Sequence, residues 1–181
     1  MSCYYRLSEL LILALSSNDE DNILLEHPNS IGAKYIIEKR NKNNSTSTSI
    51  DIITKIIIEN IEENINFLPK NIENSIVIHF TLGDIINENK EEERLQKLKE
   101  IDYIKSLISN DTNQKYIIGN NFFDETNSIN ELEAEYFNSN NIDIDIFCAI
   151  KSKLFIEGKS FLSNLIVEIR KKLNLANIER N

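Results

Sequence analysis

The 181-residue chain (21.0 kDa) is long enough for one domain with a core of its own and short for two. Lys and Arg number 20 against 29 Asp and Glu, a net charge of −9. That balance excludes a surface built for the phosphate backbone of nucleic acid or for an anionic membrane, because no cationic surplus exists to displace counterions. Apolar residues at 41% and charged residues at 27% are the proportions of a folded chain. The composition is skewed toward 32 Ile and 26 Asn, with only 4 Gly and 2 Pro, as A/T-rich coding sequence produces. The Asn are spread between periodic apolar segments, so they form no prion-like tract. Cys3 and Cys148 share no metal or redox spacing, and His27 and His79 are too few for a histidine metal site. No metal or cofactor is therefore expected. No apolar run approaches the ~20 residues a bilayer requires. Leu10 to Leu15 is too short for a signal peptide, and Ser16-Ser17 makes a poor cleavage site. The expectation is a cytoplasmic protein without leader or anchor.

Leu7, Leu10, Leu11 and Ala14 fall on one face of a helix expected over 4–16. His27-Pro28-Asn29 signals a turn. The segment 33–39 fits strand and helix equally. Residues 41–49 (Asn-Lys-Asn-Asn-Ser-Thr-Ser-Thr-Ser) form a polar, low-complexity linker. A long helix follows, with Ser49 as cap and Asp51 against its positive end. Ile50, Ile53, Ile57, Ile61 and Ile65 make its apolar stripe, and Pro69 closes it. The run 75–80 is almost wholly apolar, as in a strand covered on both faces. Charge is dense over 90–100, the exposed side of a helix that continues through Ile101, Ile104, Leu107 and Ile108.

A second buried-type strand is expected at 115–119. Ser128 with Glu131 has the pattern of a capping box and predicts a helix over 129–138. Asp143 or Asp145 caps a short helix carrying Ile146, Phe147 and Ile150. A third strand spans 153–157, and a helix over 160–173 turns Phe161, Leu165, Ile166 and Ile169 inward. Strands alternating with helices from residue 75 onward imply right-handed crossovers and a parallel sheet. The fold class is thus α/β, with a Rossmann-like parallel sheet and flanking helices. Residues 1–70 form a reduced helical N-terminal part containing the 41–49 linker, and 75–181 the sheet domain.

Open parallel sheets take ligands at the carboxyl ends of their strands. Three loops occupy that edge: His79-Phe80-Thr81-Leu82-Gly83-Asp84, Gly119-Asn120-Asn121, and Gly158-Lys159-Ser160-Phe161-Leu162-Ser163. Gly158 permits a tight turn, Ser160 or Ser163 caps the last helix, and Lys159 adds a positive charge beside its free N–H groups, a ready anion site. Each feature also has a plain structural reading. His79 near the end of a buried strand suits a hydrogen-bonded core histidine as well as a ligand contact, and Asp84 suits a turn cap. A helix start accounts for Asp143 and Asp145 without a metal or carboxylate dyad.

The string Ile76-Val-Ile-His-Phe-Thr-Leu-Gly-Asp-Ile85 resembles the strand followed by His-x-Arg-x-Gly-Asp in fucosyltransferase-like glycosyltransferases, a group with members in bacteria, animals and large DNA viruses. The stretch from Asp143 to Ser163 is similar to their later Asp/Ser/Phe-rich segment. Together the two motifs span roughly residues 75–173. The resemblance implies a GT-B-like architecture, here reduced, with a nucleotide sugar of the GDP-fucose type held by the C-terminal half, a glycan acceptor and no metal. It carries donor contacts over to His79, Asp84 and either Ser160 or Ser163; with Thr81, Gly83, Gly119, Gly158 and Lys159 from the strand-end loops, these are the expected substrate-binding residues. Thr81 stands where the motif has Arg, the cation that neutralises a departing diphosphate. The expectation is accordingly a degenerate or weakly active glycosyltransferase-like protein that binds a nucleoside diphosphate. The alternative is a non-enzymatic interaction module that keeps only the fold.

Overall fold

The computed structural model describes residues 7–16, 20–42, 47–80, 91–119, 132–137, 139, 141–158 and 160–178. The chain divides into two compact units, 1–68 with 140–147, and 69–139 with 148–181. The 41–49 connection lies inside the first unit, between two of its helices.

The described part of the first unit is helical. Helix α1 (Leu7–Ser16) packs on α3 (Ile31–Asn41), which also meets α2 (Glu20–Glu26) and α4 (Ser49–Asn64). The segment that fitted strand and helix equally is thus α3, started by Ser30, whose hydroxyl accepts from the Ala33 N–H at 3.0 Å. Gly32 lets α1 and α3 approach closely: a Cβ there would lie 2.3 Å from the Leu10 carbonyl oxygen. Helix α4 is capped one residue earlier than expected. Thr48 is the cap, and the Asp51 carboxylate accepts from both the N–H and the hydroxyl of Thr48 at 2.8 Å. The helix ends at Asn64, before Pro69, and a single 3-10 turn follows it (Ile65–Phe67). Ile53, Ile57 and Ile61 are buried as the stripe predicts, joined by Ile52 and Ile56, while Ile65 is exposed. Lys55 bonds Glu38 at 2.7 Å and holds its carboxyl below the ordinary range. That pair's small contribution is present at neutral pH and is lost as acid protonates Glu38.

The second unit is built on five parallel strands: β1 (Ile76–His79), β2 (Lys115–Ile118), β3 (Glu135–Tyr136), β4 (Leu154–Ile156) and β5 (Ala176–Ile178). Their spatial order is β3-β2-β1-β4-β5, a Rossmann-like arrangement. The three strands expected from the apolar runs are its centre, with β1 between β2 and β4. All four residues of β1 and all four of β2 are buried, as a sheet covered on both faces requires. Alternation along β1 sends Ile76, Ile78 and Phe80 to one face, against Ile101, Ile104 and Ile108 of α5 (Glu91–Ile108). His79 points to the other face, where α7 (Phe161–Lys172) lies. Among the described residues only the second unit holds strands.

Two expectations are corrected. Within the segment expected as a helix over 129–138, residues 129–131 and 138 lie outside the described residues, and Glu135–Tyr136 forms β3. Glu133 adopts a left-handed φ of 49°, which ends helical continuation, and the edge of β2 captures the next residues. The Phe137 N–H bonds the Ile117 carbonyl at 2.9 Å, and the Tyr136 hydroxyl donates to the Gly119 carbonyl. Helix α6 (Ile142–Lys151) is capped by the side chain of Asn141, which accepts from the Asp143 N–H at 3.0 Å. Asp143 and Asp145 sit inside its first turn and are not its caps. Beyond α7 the chain continues into a strand, β5. Asn174 ends the helix in the left-handed region (φ 57°), and the Leu175 N–H returns to the Arg170 carbonyl at 2.9 Å.

Arg170 is fully buried and binds oxygen atoms throughout its surroundings. Its guanidinium donates to the carbonyls of Ala149 (2.5 Å) and Ile150 (3.0 Å) at the end of α6, and to Ser152 O (3.0 Å) in the turn before β4. It also reaches Ala176 O (2.7 Å) and Asn177 Oδ1 (2.8 Å) in β5. Burial pushes its pKa down to about 10, which leaves it charged at neutral pH. The carbonyl end of α6 carries partial negative charge and supplies compensation for the lost water.

Two outcomes follow for stability. Arg170→Met should cost about 3–5 kcal/mol, because the buried carbonyls lose their donor, and Arg170→Lys should recover only part, having three donors in no fork. Urea titration of the three proteins measures this; an unchanged midpoint for Arg170→Met would contradict it. Gly32→Ala should lower the unfolding free energy by about 1–3 kcal/mol through overpacking against the Leu10 backbone, read in the same titration.

Candidate functional site

In a sheet ordered β3-β2-β1-β4-β5 the chain builds outward from β1 on one side and then, starting with β4, on the other. The carboxyl ends of β1 and β4 therefore flank the point where connections leave toward opposite faces, the usual location of a ligand crevice in open α/β sheets. His79 closes β1 and Gly158 follows β4.

The two ends touch. Ser163, in the first turn of α7 and without solvent exposure, places its Oγ 2.5 Å from His79 Nδ1. The same oxygen accepts from the Gly158 N–H at 2.9 Å. A chain that uses each group once runs from the Gly158 N–H to the Ser163 oxygen and from the Ser163 hydroxyl to Nδ1. Ser160 is the N-cap of α7, and its hydroxyl accepts from the Ser163 N–H at 3.1 Å. The two serines thus divide the work: Ser160 caps the helix, and Ser163 ties the helix start to β1.

Gly158 is required by proximity. A Cβ on it would meet His79 Nδ1 and the His79 carbonyl oxygen, each at 2.8 Å. In dinucleotide-binding Rossmann folds a glycine at such a turn lets the backbone approach a pyrophosphate. Here the space beside Gly158 is filled by the His79 ring. Ser163 has no exposed surface, and its hydroxyl is engaged with His79 and the Gly158 N–H. The part of the cluster that meets solvent is the first turn of α7 around the half-buried Ser160 and Leu162.

Of the residues singled out in the sequence, His79, Gly158, Ser160 and Ser163 come together at the switch point. Gly119 lies one strand away, at the carboxyl end of β2, with a φ of 127° that favours glycine and its carbonyl held by Tyr136. Thr81, Gly83, Asp84 and Lys159 lie outside the described residues. Glu157 was missed by the sequence reading. It is 8% exposed at the end of β4, where its N–H bonds the Ile178 carbonyl at 3.1 Å. A carboxylate ending an apolar run beside a loop glycine was the signal available. Cys148 is buried and is not part of a disulfide. Among the described residues no group of three or more His, Cys, Asp or Glu side chains gathers as a metal site, and no helix is long and apolar enough to cross a membrane.

The His79–Ser163–Gly158 chain makes a coupled prediction. Ser163→Ala should cost about 1–3 kcal/mol, since it strands a buried N–H and a ring nitrogen. His79→Ala and Ser163→Ala should be non-additive by at least ~0.5 kcal/mol in a double-mutant cycle of denaturant stabilities. Strict additivity would show that the bond does not form in solution.

Comparison with known proteins supplies no identity: no protein-family model, no curated protein and no solved structure matches this chain.

Proposed function

We propose that this chain is a catalytically degenerate relative of the fucosyltransferase-like glycosyltransferases, which binds a nucleoside diphosphate of the GDP-fucose donor type at the carboxyl ends of β1 and β4. The observation that carries this reading is the bond between His79 and Ser163. It joins the two stretches that resemble the family's motifs, 84 residues apart in sequence, at the switch point of a parallel sheet. The start of α7 offers the polarity an anion requires, with N–H groups and a positive dipole end in a protein of net charge −9.

Thr81 is the reason for calling the protein degenerate. A neutral hydroxyl gives one hydrogen bond and no charge to a leaving diphosphate, so an important part of the transition-state stabilisation is missing. Losses of that kind amount to about 10²–10³ in rate. The purified protein should therefore show no GDP-fucose turnover near the ordinary ~1–10 per second. A coupled GDP-release assay measures this, and turnover at that rate would overturn the assignment of Thr81.

A second reading, an interaction module that keeps only the fold, is favoured by the internal use of the Gly158 N–H and of His79. Calorimetric titration with GDP separates the two. Under the binding reading, Thr81→Arg tightens GDP about tenfold to a hundredfold, as a charge-assisted contact of about 1–3 kcal/mol would. Ser160→Asp abolishes binding by placing a negative charge at the anion site. Aspartate is itself a good helix cap, so this variant keeps the fold. GDP affinity that is absent and stays absent in Thr81→Arg would leave the interaction module as the better reading.

A further inference from the structure

We draw no further inference here: the strongest candidate, the outward apolar surface of the first helix formed by Ile12, Leu13 and Leu15, is an exposed face for which nothing in the structure shows what covers it.

Discussion

The second unit depends on one buried cation. Arg170 sits in the last turn of α7 and reaches back to the end of α6, the turn before β4, and β5. The first two are consecutive in sequence and the third lies beyond α7, and each directs carbonyl oxygens at the guanidinium. One guanidinium, with five donors in a planar fork, satisfies them together. A hydrophobic side chain of the same volume would fill the space and leave the oxygens bare. The geometry of the β4–α7–β5 half of the sheet therefore rests on a charge paired with dipoles and not with a carboxylate, among the described residues. Helix ends make this workable, because the aligned peptide dipoles of α6 concentrate negative potential where the guanidinium lies.

The same half of the sheet carries the candidate site, and the two are mechanically linked through α7. Arg170 anchors its carboxyl end and Ser163 its amino end, so the helix is held at both termini against strands on either side of the switch point. A helix start fixed this way presents its first N–H groups in a constant direction, the preorganisation that anion recognition requires. The close fit of His79 against Gly158 is the opposing feature. It fills the space beside the Gly158 backbone with the imidazole and leaves Ser160 half-buried among the described residues.

Much of the architecture was legible because its signals are local. Short, near-continuous apolar runs at 76–78 and 116–118 bounded by turn signals read as strands buried on both faces, and the helical segments between them favour parallel crossovers. The stripe of Ile53, Ile57 and Ile61 marked α4 despite the β-favouring character of isoleucine, because periodicity outweighs propensity over four turns. The residues that failed were governed by partners distant in sequence. Glu135 and Tyr136 carry no strand signal of their own and pair because β2 offers an open edge. Ala176 to Ile178 became a strand because β4 and Arg170 held it there.

The candidate site divides along the same line. His79, Gly158, Ser160 and Ser163 were recognisable one by one, since each stands at a strand end or helix start, where chain direction changes and backbone groups lack ladder partners. Nothing in their order showed that Ser163 would spend its hydroxyl on His79 while Ser160 alone capped the helix; two serines three residues apart suit that cap equally from the sequence. By itself, the sequence determined the fold class and the three central strands, because hydrophobic periodicity and chain reversal are written in neighbouring residues. Only the tertiary structure decided the outer strands, the buried Arg170 and the closing of His79 against Gly158. Each of those depends on which surfaces meet once the chain has crossed over, and a contact between residues 79 and 163 has no trace in either residue's own neighbourhood.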